Sequence, residues 1–185
     1  MIDEILKDAE QRMDKTITVM RDNFGKIRTG RASTSLLDHV TVDYYGSAVP
    51  LNQAANVATE DARTISIMPY EKSMVSKIEK AIMTADLGLN PSTAGEVIRI
   101  VLPPLTEERR RDLVKVIRAE AEDGRVAVRN IRRDANSTLK ELVSEKEIST
   151  DEQHGAEERV QTLTDKIVAR IDSLLEDKEQ EIMTV

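Results

Sequence analysis

Three stretches of this chain place an apolar residue at every third or fourth position, and they leave little choice of architecture. Ile2, Leu6, Ala9, Met13, Ile17, Met20, Phe24 and Ile27 form the first stripe. Leu113, Ile117, Ala121, Val128, Ile131, Ala135, Leu139 and Leu142 form the second. Ala156, Val160, Leu163, Ile167, Ile171 and Leu174 form the third, with Ile182 near its end. This is the helical period, with the apolar side chains on one face. A helix cannot hide its own stripe, so the three must hide theirs against one another. At 1.5 Å per residue a helix of about 38 residues is roughly 57 Å long, so the product is an elongated antiparallel three-helix bundle.

The punctuation agrees with the stripes. Lys26 and Arg28 fall in the expected last turn of a helix over 2–28, and Gly30 just beyond acts as its stop. Thr106 is placed to cap the second helix, with Glu107 and Glu108 where the helix dipole favours acid. Ser149 and Glu152 have the spacing of a capping box for the third. Gly124, on or near the second stripe, marks a close helix approach or a weak point.

Residues 31–104 change period. Val40, Val42 and Tyr44 alternate with polar residues as in a strand, Tyr45-Gly46-Ser47 reads as a turn, and Ala48–Leu51 as the return strand. Arg63–Met68 is a further strand stopped by Pro69, and Val75, Ile78 and Ile82 have helical spacing before Gly88 and Asn90-Pro91. Val97–Leu102 is a last strand, closed by Pro103-Pro104. The fold class expected is therefore α+β. A discontinuous bundle domain, 1–30 with 105–185, carries an inserted small β/α/β domain, 31–104. The paired crossings make a hinge of Gly30, Arg31, Pro103, Pro104 and Leu105, and the product is an L.

Several chemistries are excluded. Cysteine is absent, so there is no disulfide, thiolate metal site or cysteine nucleophile. The only histidines, His39 and His154, are far apart and no metal spacing is present, so no catalytic residue, metal or cofactor is expected. Arg28-Thr29-Gly30-Arg31 superficially suggests a phosphate turn, but it ends a helix rather than beginning one. Aromatics make up 2% of the chain and Trp is absent, which argues against a base-stacking sheet. The polar N-terminus is no signal peptide and no run is long and apolar enough for a membrane helix, so a cytoplasmic protein without membrane contact is expected.

Charge supplies the positive clue. The chain carries a formal net charge of -7, yet Gly124–Arg133 holds four arginines and no acid. Arg125, Arg129 and Arg132 share one helical face, continued upstream by Lys115 and Arg118. The row stands about one residue, roughly 100°, off the apolar stripe, so it is expected to face an anionic partner while the helix stays packed. An ordinary solvated charged face has the same spacing. A helical adaptor binding another protein remains open on these residues, as does an enzyme with a site near Asp61, Arg63 and Arg99.

Five segments also carry a resemblance. Lys26-Ile27-Arg28-Thr29-Gly30-Arg31-Ala32, Tyr44-Tyr45-Gly46, Asp86-Leu87-Gly88-Leu89-Asn90-Pro91, Leu102–Arg110 and Val128–Ala135 follow one another in order and in register. Together they resemble the signature segments of the bacterial ribosome recycling factors, in style closest to the gammaproteobacterial form. The resemblance implies a monomeric, non-enzymatic factor that binds the 70S ribosome and large-subunit ribosomal RNA. With elongation factor G, whose GTP hydrolysis supplies the energy, it would split the post-termination ribosome and free the messenger RNA. It implies Arg110, Arg129 and Arg132 as the main RNA contacts and Arg28, Arg31 and Arg133 as supporting ones. Arg125 joins them from the spacing.

Overall fold

Described in a computed structural model are residues 1–184; Val185, the last residue of the expected bundle domain, lies outside them. In chain order the elements are α1 (Ile2–Gly25), β1 (Thr41–Tyr44), β2 (Ser47–Pro50), α2 (Leu51–Ala54), β3 (Ala55–Asp61) and β4 (Thr64–Pro69). There follow α3 (Val75–Thr84), β5 (Pro91–Ala94), β6 (Val97–Val101), α4 (Glu107–Ser144) and α5 (Thr150–Thr184). They fall into two units, Met1–Arg28 with Glu107–Thr184, and Thr29–Thr106.

In the first unit α1, α4 and α5 each pack against the other two. The stripes read from the sequence supply most of what they bury, with Ile2, Leu6, Leu142, Leu163 and Leu174 only half-buried. On α4 the buried residues are Leu113, Ile117, Ala121, Gly124, Val128, Ile131, Ala135 and Leu139. On α1 they are Ala9, Met13, Ile17, Met20 and Phe24. Each fully buried Leu, Ile, Val, Met or Phe among them contributes roughly 1.5–3 kcal/mol. Polar pairs at the seams give the directions. Arg12 reaches Asp134 and Asn23 reaches Glu120, so α1 and α4 run antiparallel. Arg159 reaches Asp3 and Arg170 reaches Asp14, so α1 and α5 run parallel. Gly124 is buried where the helices meet: a Cβ built there lies 3.5 Å from Met20 Sδ and 3.6 Å from Ile171 Cδ1, ordinary van der Waals distances.

The α5 start is the capping box expected. The Glu152 N–H donates to Ser149 Oγ (3.1 Å) and the Ser149 N–H donates to Glu152 Oε2 (2.7 Å). On α5 the seam also takes Thr164, 2% exposed, whose hydroxyl donates to the Val160 carbonyl (2.8 Å) and so tolerates burial. The expected stop of α1 at Gly30 is not what occurs. The helix ends at Gly25, directly after the buried Phe24. Ile27 is only half-buried and gives no reason to extend the packed turn. Gly30 instead serves the linker, at φ 79°.

The second unit holds more strands than the sequence suggests. β1 and β2 form a hairpin whose turn residues Tyr45 and Gly46 have φ 51° and 87°, both left-handed as a type I′ turn requires. β3, β4, β6 and β5 form an antiparallel sheet in that order. β4 and β5 therefore run the same way with β6 between them, and α3 joins them; the periodicity detects β4, α3 and β6 but not β5. Leu51, expected in a strand, starts the short α2 instead and is buried there. Pro69 does not stop β4 but belongs to it, opposite Ala55 at the start of the edge strand β3, where the missing N–H costs least. Ile65, Ile67, Ile78, Ile82, Ile98 and Ile100 form the centre of this unit's core.

Candidate nucleic-acid interface

Along α4, Arg118, Arg125 and Arg132 stand seven residues apart on the flank of the buried seam. Facing them on α5, Glu179, Asp172 and Asp165 are also seven apart, in the opposite order. Arg118 Nε donates to Glu179 Oε1 (2.6 Å). Arg125 Nε and Nη2 donate to Asp172 Oδ1 (2.9 and 2.6 Å) and its Nη1 donates to Glu122 Oε2 (3.1 Å). The Arg132 link is indirect: Nη1 donates to Gln161 Oε1 (3.3 Å), and Gln161 Nε2 donates to Asp165 Oδ1 (2.8 Å). Arg129, one turn from Arg125, donates from Nη2 to Glu122 Oε1 (2.6 Å).

These contacts tune the charges. The hydrogen bonds from Arg129 and then Arg125 hold the Glu122 carboxyl below the ordinary glutamate range. Asp172 pushes the Arg125 guanidinium up, as Glu179 does for Arg118, so both stay charged. The row is thus only in part the outward face expected from the sequence. At about 100° from the stripe, Arg118 and Arg125 meet acids of the same spacing on the flank of α5, while Arg129 is held by Glu122 of its own helix and keeps 42% of its side chain exposed. The signal was present in the sequence as Asp165, Asp172 and Glu179, a second heptad series. It becomes a set of partners only once the antiparallel register is known.

The remaining arginines differ in their engagement. Arg133 is exposed and forms no ion pair among the described residues. Arg110 Nη1 donates to the carbonyls of Ile182 (2.9 Å) and Met183 (2.7 Å), tying the first turns of α4 to the end of α5. This satisfies carbonyls that a helix end otherwise leaves unpaired. Arg28 is exposed at the edge of the first unit, three residues past α1. Arg31 is exposed in the second unit and forms no ion pair among the described residues.

The two linkers of the second unit touch. A Cβ at Gly30 would lie 2.9 Å from Leu105 Cγ, closer than real Cβ atoms come. Just inside them the Ala32 N–H donates to the Ala62 carbonyl and the Leu102 N–H to the Arg63 carbonyl, both at 2.7 Å. Pro103 and Pro104 between Leu102 and Leu105 are exposed. The enzyme alternative near Asp61, Arg63 and Arg99 meets only local roles. Asp61 accepts the Arg63 N–H (2.9 Å) in the β3–β4 turn, Arg63 Nε donates to the Leu102 carbonyl (3.0 Å), and Arg99 pairs with Glu60 (3.0 Å). No helix among the described residues is long and apolar enough to cross a membrane.

The sequence profile described as "Ribosome recycling factor" matches residues 20–183. The chain belongs to the ribosome recycling factor family. A ribosome-recycling factor of Thioalkalivibrio sulfidiphilus is 62% identical over 185 residues, all of this chain and all of that protein. A solution structure of a ribosome recycling factor superposes with a TM-score of 0.74 at 44% identity, covering 100% of this chain and 98% of the other. The second solved relative is a T. thermophilus ribosome recycling factor, described with the E. coli elongation factor G as bound to the E. coli post-termination complex. It is 47% identical with a TM-score of 0.63, covering 98% of each chain. Ribosome recycling factors thus share with this chain its length, its helices and its sheet, and the five resembling segments lie in that common span.

Proposed function

We propose that this chain recycles ribosomes after termination, splitting the post-termination complex together with elongation factor G. The observation that carries the reading is likeness over the whole chain to ribosome-recycling factors, one of them described with elongation factor G on a post-termination complex. The part is mechanical. The bundle is the anchor, and GTP hydrolysis by the elongation factor supplies the work.

Within that reading Arg129, Arg132 and Arg133 are the bundle's contacts to ribosomal RNA. Arg133 has no ion pair among the described residues, and Arg129 and Arg132 each hold a protein acceptor through one nitrogen of a fork with five N–H donors. Planar guanidinium groups suit bidentate phosphate contact, and RNA helices are read largely through backbone and 2′-hydroxyl. Arg125, held by two carboxylates, supports the α4–α5 register, and Arg110 closes the end of α5. Arg28 and Arg31 add contacts beside the linkers. The touching linkers, residues 30–31 and 103–105, are the proposed hinge about which the inserted domain moves, and the 70S ribosome is met by a monomer in the cytoplasm.

Sedimentation of 70S post-termination complexes with this protein, elongation factor G and GTP, each omitted in turn, tests the reading. Subunit separation that requires all three is the expected result. Separation without this chain, or none with it, overturns the proposal.

A further inference from the structure

The α4 arginines Arg118, Arg125 and Arg129 are held by acids, but one group of cations in the inserted unit is not. Lys77 and Lys80 stand three residues apart on α3, and with Thr84 they face β1 across a groove of about 550 Å3. His39 and Thr41 line the opposite wall. Among the described residues neither lysine nor His39 forms an ion pair, and all three are exposed. The one carboxylate of the groove, Asp43, is turned to the hairpin, where it accepts the Gly46 N–H (2.9 Å). The acid of α3, Glu79, lies on the other flank of the helix and accepts from the Thr93 hydroxyl of β5. The helix therefore sorts its charge, cations to β1 and acid to β5, in a chain whose net charge is -7.

We infer that this groove is a second RNA-backbone site, by which the inserted unit holds a phosphate run of ribosomal RNA independently of the bundle arginines. The inference rests on the recycling reading for the source of the RNA. Side chains three apart on a helix stand about 5–6 Å from each other at Cβ. That spacing lets two flexible ammonium groups meet successive phosphates of one strand, as point charges rather than planar forks. The hydroxyls of Thr41 and Thr84 border the lysines and can bond phosphate oxygens or 2′-hydroxyls, which position a strand without reading its sequence. A protein partner would need apolar area, and of the apolar residues of this wall Val40 is buried, Ala81 is half-buried and Ala85 exposes no more than a methyl group. The chemistry favours a polyanion.

The test is binding of the full-length protein to 70S ribosomes, without elongation factor, across a salt series. Removing one phosphate-binding cation makes log K less steep in log salt by about 1, so Lys77→Ala with Lys80→Ala should flatten the slope by about 2 and weaken binding about tenfold at moderate salt. Lys77→Arg with Lys80→Arg should keep the affinity. Lys72→Ala, which removes a cation already paired with Glu96 on the same unit, should leave the slope unchanged. The Lys77 and Lys80 variants should melt with the wild type, because neither lysine has an ionic partner among the described residues, and Lys72→Ala loses only an exposed pair. Wild-type binding with an unaltered double variant removes the groove as an RNA site and leaves the recycling reading standing. A slope loss equal to that of Lys72→Ala reduces the effect to net charge and overturns the site. A defect confined to assays containing elongation factor assigns the groove to a protein and overturns it too. A wild-type chain that binds no ribosomes at any salt sinks both readings.

Discussion

Replacing Asp172 tests whether the α4 arginines are braces before they are ligands. Arg125 is 22% exposed in its side chain and Asp172 is 55% exposed, so the pair is screened on one side only. Exposed pairs contribute about 0.2–1 kcal/mol, and a two-pronged bond to a largely covered guanidinium belongs near the top of that range. Asp172→Ala should therefore cost about 1 kcal/mol. Asp172→Arg should cost about 2 kcal/mol, since it adds repulsion between like charges. For a chain of this size each kcal/mol shifts Tm by roughly 2–4 °C. The swap Arg125→Asp with Asp172→Arg restores the cross-helix pair but sets the new aspartate three residues from Glu122, so it should recover only about half of the loss. Thermal melts followed by far-UV circular dichroism, at low salt and near 1 M, read all four proteins. High salt should shrink the differences, since the screening length there is about 3 Å. Should Asp172→Arg melt with the wild type, or the swap melt no higher than Asp172→Arg alone, the brace is refuted.

Three further outcomes rest on individual side chains. The Glu152 carboxyl is held below the ordinary glutamate range, first by the Ser149 N–H and then by its side chain. Its stabilisation is thus complete above the unfolded value and is lost as pH falls through the lower folded one. The stability gap between wild type and Glu152→Gln, measured by urea melts, should therefore be open at about pH 7 and closed by about pH 2; a gap independent of pH refutes this. Ile117→Ala removes a side chain with 0% exposure from the bundle and should cost about 2–5 kcal/mol in the same melts, while a loss below about 1 kcal/mol would show the seam to be loosely packed. Gly30→Ala forces a Cβ onto Leu105 at a positive φ, and should slow ribosome splitting more than it weakens ribosome binding if the linkers are the hinge; an equal effect on both assigns Gly30 to folding alone.

The sequence is most legible where burial is one-sided and periodic. Every buried position of α4 except Gly124 stands in the stripe, and Gly124 shows itself in the sequence as a point of approach. The edge strands are the least legible. β3 offers the sheet's inner face little more than Val57 and carries Asn56, Thr59, Glu60 and Asp61, while β5 is Pro-Ser-Thr-Ala, with no large apolar residue at all. An edge strand needs only backbone pairing on one side, so no hydrophobic alternation announces it. Thr164 escapes for a different reason: its burial depends on a hydrogen bond to its own helix, and the more apolar Leu163 beside it draws the stripe. In the candidate interface the residue types are visible and their partners are not. Whether an arginine row is an outer face or a seam depends on which helix lies beside it, and that is decided by register.

The matching steps of seven on α4 and α5 act as a vernier between the helices. A slip of α5 by one turn breaks every rung. A slip by a full heptad, about 10.5 Å, keeps two of the three rungs, so charge alone rejects that error weakly. Gly124 rejects it better. In register it receives the Ile171 methyl group, and after a heptad slip it would face Thr164 or Lys178. One arrangement would leave a gap where the methyl group fitted, and the other would bring an ammonium group to a dry seam. The coarse scale is ionic, the fine scale is steric, and the five residues between Ser144 and Thr150 leave little slack for any other alignment.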